Sequence, residues 1–187
     1  MVGQPPRPHE GEYRTKGRTK WDAVQRVRCH RARMGSAVTL EVGRCDADAV
    51  AALLHGLPEW FGLEEATAAY IEAARTMPTV LALDDGVVVG ALLWTRPFPA
   101  SAEVHLMAVD AARHRRGIGT ALLDRAEAEL RADGVRYLQV KTLGPSRPDE
   151  EYERTRRFYE ARDFVALEEL FDVWPDDNPM LILVKAL

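Results

Sequence analysis

At 187 residues, 47% of them apolar, the chain has the length and composition of one globular domain with a full core. No apolar run approaches the roughly 18 residues of a membrane span, and the N-terminal stretch lacks the apolar core of a secretory signal, so a cytoplasmic protein is expected. The formal charge of −4 is modest, and the two cysteines, Cys29 and Cys45, sit in no spacing that suits zinc or a disulfide framework, so no metal is expected.

In chain order, the first unit is a tail. Residues 1–33 hold nine Lys/Arg and three Asp/Glu, a balance of +6, which leaves −10 on residues 34–187. With Pro5, Pro6 and Pro8 among scattered arginines and few aliphatic side chains, this tail cannot bury enough surface to offset its ordering entropy and is expected to be disordered. The globular domain is then 34–187, with Met34 as an alternative start. A basic tail can also attract nucleic acid or an acidic partner, but a solvated tail is the simpler reading.

The domain opens with an alternating strand over 38–44, then Asp46 as N-cap of a helix whose inner face is Val50, Leu53, Leu54 and Leu57. Gly56 and Pro58 end it, and a second helix is expected over 63–76. The connection between them carries Trp60 and Phe61, two large aromatics that are costly on a loop unless they pack or bind something. Apolar runs at 79–83 and 87–95, joined by Asp84, Asp85 and Gly86, read as a hairpin, because Asp-Gly accepts positive φ. A proline-containing connection, 96–101, leads to a fourth strand over 102–109, which makes strands two to four an antiparallel meander. A helix with Leu122, Leu123, Ala126 and Leu130 on one face follows, stopped by Gly134, and returns the chain to a fifth strand over 135–142. By the right-handed crossover rule, strands four and five are parallel neighbours. The loop 143–148, a helix over 149–162 and strands at 164–170 and 180–185 close the chain.

The most informative segment is the turn between the fourth strand and its helix: His114, Arg115, Arg116, Gly117, Ile118, Gly119, Thr120. The first amides of a helix have no internal partner and carry the positive end of its dipole, so an anion is stabilised there. The two glycines clear room for a phosphate and the two arginines add charge. A P-loop would end in Gly-Lys-Ser/Thr, and a dinucleotide fingerprint would place a third glycine where Leu122 stands; neither matches.

What remains is an Arg/Gln-x-x-Gly-x-Gly/Ala signature, and here the sequence resembles the GNAT superfamily of acetyl-CoA-dependent N-acetyltransferases. The resemblance covers roughly 39–187 and is strongest over 102–164. It implies an α/β fold: a mixed, mostly antiparallel sheet of about seven strands, with parallel strands four and five splayed around CoA, flanked by about four helices. It implies that residues 114–120 hold the CoA pyrophosphate, with His114 where Gln or Arg is commoner. It also implies a β-bulge in strand four that frees backbone amides near Met107, Ala108 and Val109. Tyr152, Thr155 and Asp163 depart from the Asn, Ala and Gly usual at those positions.

The resemblance further implies Glu103 as the base that deprotonates the acceptor amine, directly or through water, and Tyr159 as the acid that protonates the departing thiolate. Acetyl transfer needs both, because an alkyl ammonium has a pKa of about 10 and a thiol one of about 8.5. His105, on the same strand face as Glu103, is an alternative base or substrate contact. The acceptor pocket would use Trp60, Phe61 and Trp174, and aromatics beside carboxylates suit a cationic small molecule or peptide amine. The leading expectation is thus an N-acetyltransferase working by direct attack in a ternary complex. A non-catalytic acyl-CoA sensor is the alternative, nucleic-acid binding through the tail is the weakest reading, and a homodimer is compatible with the family.

Overall fold

The computed structural model describes residues 32–33, 38–175 and 177–187. Most of the basic tail, Met34 and Asp176 lie outside the described residues. The last two residues assigned to the tail do not: Ala32–Arg33 forms a short strand, β1, antiparallel to β2 (Val38–Val42).

Two helices follow, α1 (Ala47–His55) and α2 (Glu64–Ala73). Asp46 caps α1 as expected, its side chain accepting from the Ala49 amide at 3.1 Å. β3 (Thr79–Asp84) and β4 (Val87–Phe98) form the hairpin, with Asp85 and Gly86 both at positive φ. β5 (Ser101–Val109), α3 (Ile118–Ala132), β6 (Tyr137–Leu143), α4 (Glu150–Glu160), β7 (Val165–Leu170) and β8 (Met180–Ala186) complete the chain. The sheet order is β1-β2-β3-β4-β5-β6-β8-β7, with β5 and β6 the parallel pair. Because β1 precedes the seven expected strands, these are the fourth and fifth of the sequence reading.

The connection expected at 96–101 is shorter than its prolines suggested, since β4 runs on to Phe98 and only Pro99 and Ala100 turn the chain. The ladder steps from Thr95↔Glu103 to Phe98↔Ser101, so Pro97 sits in an irregularity where its missing N–H breaks no regular ladder bond.

Two cores lie on opposite faces of the sheet. One gathers Val50, Leu53, Leu54 and Leu57 of α1 and its exit against Leu81, Leu83, Ala91 and Leu93. The other gathers Ile118, Leu122, Ala126 and Leu130 of α3, with Tyr159 and Phe164, against Val80, Leu92 and Val104. Gly90 lets α3 approach β4 closely: a Cβ there would lie 3.0 Å from Leu122 Cδ1 and 3.1 Å from Ile118 Cγ2. The first turn of α3 is thereby fixed against the sheet.

One ion pair is buried in the second core. Lys185 Nζ of β8 meets Glu127 Oε1 of α3 at 2.6 Å, while Arg131 holds Glu127 Oε2 at 2.8 Å. Removing one partner strands a charge away from water, whereas replacing both by apolar groups does not. Lys185→Met is expected to cost about 3 kcal/mol, because Arg131 still holds one oxygen, and Glu127→Leu added to it should recover most of the loss. Urea unfolding of the two variants checks this.

Candidate active site

The cleft opens where β5 and β6 part. Their parallel ladder runs from Ser101↔Tyr137 to Val104↔Val140 and stops there. At this point β5 carries an extra residue: Leu93 of β4 pairs with Leu106 but Trp94 pairs with Val104, so His105 is the bulge. The bulge also exchanges faces. Ala102 and Val104 belong to the α3 side, whereas beyond His105 it is Met107 and Val109 that pack there, with Leu106 and Ala108 turned to the α1 side. From Leu106 to Val109 the chain has β4 on one side and no strand on the other, leaving main-chain groups open to the cleft.

The cleft has a volume of about 810 Å³ and runs from the α3 N-terminus to the aromatic α1–α2 connection. At the first end Gly117 caps α3 at φ +79 with no side-chain hydrogen bond, so the amides of Ile118, Gly119 and Thr120 have no protein cap. Met107, Ala108, Val109, His114, Arg115, Gly117, Ile118, Gly119 and Thr120, all expected to contact cofactor, line the cleft; Arg116 is exposed off its wall. Arg115 sits at φ +60, a left-handed conformation that disfavours any side chain. His114 is exposed, but its Nε2 donates to the Val109 carbonyl at 2.8 Å and its ring meets Trp60 edge-on at 5.8 Å. It ties the turn to the end of β5.

A family model described as the Acetyltransferase (GNAT) family matches residues 46–164, more than half of the chain. The chain belongs to the GNAT acetyltransferase family. It is thus an acetyl-CoA-dependent acyltransferase. Solved GNAT-like structures agree in fold. A chain from Desulfovibrio desulfuricans described as an acetyltransferase of the GNAT family is 22% identical, covers 80% of this chain and 99% of its own, and superimposes with a TM-score of 0.69. The aminoglycoside 6′-N-acetyltransferase from Enterococcus faecium is 21% identical over 75% of this chain and 89% of its own, with a TM-score of 0.60. A GNAT family acetyltransferase from Elizabethkingia anophelis, solved with acetyl-CoA bound, is 16% identical over 84% of this chain and 96% of its own, TM-score 0.59. A comparison with curated proteins finds no match.

The cleft fits the GNAT cosubstrate on its own chemistry. An uncapped helix start with Arg115 suits a pyrophosphate, and the open edge of β5 can pair with an extended amide-bearing arm. The Thr142 hydroxyl, on the cleft wall, is buried with no hydrogen-bond partner among the described residues. No group of His, Cys, Asp and Glu among the described residues could hold a metal ion.

At the reacting end, Tyr159 is 3% exposed, lies edge-on between Phe158 and Phe164, and lines the cleft. Burial pushes its phenol well above the usual range. Its hydroxyl makes no hydrogen bond with a described residue. Glu103 is placed differently from the simple expectation. Its Oε2 accepts from Gln139 Nε2 at 2.7 Å and pairs with Lys141 Nζ at 2.9 Å. It is absent from the cleft wall, which Lys141 and His105 reach. His105 stacks edge-on with Tyr70 at 5.4 Å. Burial lowers its pKa, the Glu103 charge partly opposes this, and Lys141 adds to the lowering.

Trp60, Phe61 and Trp174 all line the cleft. The Tyr152 hydroxyl donates to the Trp60 carbonyl at 3.3 Å and so joins α4 to the α1–α2 connection. The wall itself is not acidic. Among the described residues its one carboxylate is Glu151, held by Arg154 at 2.6 and 2.8 Å, while Asp172 and Asp177 lie off it. Lys141, Thr142 and Tyr70 were not identified from sequence; the one available signal was the alternation of Gln139 and Lys141 along an otherwise apolar strand.

The strained Arg115 gives a test of the phosphate end. Arg115→Gly is expected to raise stability by up to about 1 kcal/mol through relief of the left-handed strain. The same change should weaken acetyl-CoA binding, with the difference from wild type shrinking as salt rises. Thermal unfolding and titration calorimetry read the two effects separately.

Proposed function

We propose that the protein transfers the acetyl group of acetyl-CoA to a primary amine by direct attack in a ternary complex. The observation that carries this reading is Tyr159, a phenol kept protonated by burial, its hydroxyl without a hydrogen bond among the described residues, on the wall of a cleft whose chemistry suits an acyl-CoA. A group that cannot ionise near neutrality but can donate a proton suits a departing thiolate. Cys45 is exposed and absent from the cleft wall, so no described cysteine is placed for a covalent acetyl intermediate.

His105 is the better-placed base. Its lowered pKa keeps a lone pair available at neutral pH, and it stands at the bulge where the sheet opens. Glu103 acts from behind it, as a charge that favours imidazolium once a proton arrives, or through water. The main-chain groups of 106–109 supply donors for the carbonyl oxygen as it gains charge. Trp60, Phe61 and Trp174 would hold the body of the acceptor. The E. faecium neighbour is named for an aminoglycoside, and such polyamines belong in the acceptor panel beside simple amines, amino acids and peptides.

Thiol release from acetyl-CoA over that panel tests the reading. Turnover on at least one amine is expected, with kcat falling on the order of 10²-fold in Tyr159→Phe. Because the hydroxyl has no partner to lose among the described residues, the melting temperature should move by no more than about 1 °C. Acyl-CoA binding without turnover on any amine would overturn the transferase reading in favour of a sensor.

His105 has a separate signature in stability. Its folded pKa lies below the ordinary value of 6.5, so the unfolded chain takes up the proton first as pH falls. The stabilisation is complete above 6.5 and is lost as pH drops through the folded value. Melting temperatures between pH 7.5 and 5 should therefore fall more steeply for wild type than for His105→Gln.

A further inference from the structure

Lys141 stands out among the charged residues of the cleft. Arg113, paired with Asp84, and Arg115 belong to the turn before α3, at the other end of the cleft, and Arg154 is neutralised by Glu151 on the wall itself. Lys141 has a recessed partner, as Arg113 does, but lies at the opening between β5 and β6: its side chain is 34% exposed and lines the cleft, whereas Glu103 is 15% exposed and does not. Both bonds to Glu103 fall on Oε2, from Lys141 Nζ at 2.9 Å and Gln139 Nε2 at 2.7 Å, and Lys141 Nζ makes no other hydrogen bond or ion pair with a described residue. An ammonium has three donors, so this one presents unused N–H groups and positive charge to the cavity.

Its position matters as much as its charge. Gln139 is level with Glu103 in the parallel ladder, so Lys141 and His105 each lie two residues further along, on one face of the sheet and just past the last rung. Paired strands are about 4.8 Å apart and these two are diverging, so the side chains flank a gap on the scale of a short dipolar molecule. The charges are close enough that Lys141 contributes to the lowered His105 pKa. Trp60, Phe61 and Tyr70 form an apolar wall on the same cavity.

We infer that the acceptor carries a carboxylate beside the amine to be acetylated, and that Lys141 binds that carboxylate while His105 faces the amine. The favoured class is a free amino acid with an apolar or aromatic side chain, rather than a polyamine. This inference rests on the transferase reading and narrows its acceptor.

The test compares each of a panel of L-amino acids with its own amide, by kcat/KM for thiol release and by titration calorimetry in the presence of CoA. Amidation also lowers the amine pKa, so the quantity read is the acid-over-amide preference of wild type divided by that of Lys141→Met. A quotient of tenfold or more is expected for at least one amino acid. Lys141→Arg should retain the preference, which separates loss of charge from damage to the fold. Equal use of acid and amide by wild type, an unchanged preference in Lys141→Met, or no binding by any member of the panel would overturn the inference. Failure of the transferase reading is distinguishable: it appears as no thiol release on any amine, while the calorimetric arm still reads acid against amide.

Discussion

The cleft depends on a single mismatch of register. One extra residue, His105, in β5 ends the parallel ladder with β6 and turns the rest of β5 by one face. A regular strand would have kept its hydrogen bonds to β6 and closed the sheet, leaving no edge for an acyl carrier and no gap for an acceptor. The cost is a run of main-chain groups with no strand partner on one side in the middle of a sheet, which is tolerable only where something else is to bond them. The bulge residue is itself chemically useful, since it carries the imidazole to the mouth of the opening.

The two ends of the cleft are held by different means. Gly90 admits the first turn of α3 against β4, and the His114 contact with the Val109 carbonyl ties the preceding turn to the end of β5. The uncapped amides are therefore fixed to the strand whose edge lies open. At the acceptor end the ties are longer in sequence: Tyr152 reaches Trp60, and Arg156 Nη1 donates to the Leu143 carbonyl at 2.8 Å, anchoring α4 to the end of β6. The helix bearing Tyr159 is thus positioned from both walls.

Much of this was legible in the sequence because it is local. Glycine turns, the Asp46 cap, the Asp85-Gly86 hairpin and the periodicity of α3 follow from neighbouring residues, and the glycine turn before α3 falls where its spacing indicated. Element ends were less so. Pro97 argued for a longer connection, but a strand can carry a proline where its ladder already skips. Asp163 does adopt the left-handed conformation, φ +66, that a glycine would take more easily. Of the two arginines before Gly117, Arg115, at positive φ, lines the cleft and Arg116 does not.

The Glu103 environment shows where local reading ends. From the strand alone, Glu103 and His105 share a face and either can be the base. Only the parallel register, which puts Gln139 beside Glu103 and Lys141 one step beyond, shows that the carboxylate is already engaged and that the imidazole is the freer group. The same register bears on the electrostatics of the cavity. Residues 34–187 carry net negative charge, but net charge is a property of the whole surface, whereas recognition depends on the few groups that reach the cavity. Here the negative partner is recessed and the positive one lines the cleft, so the charge that faces the cavity does not follow from the charge of the body around it.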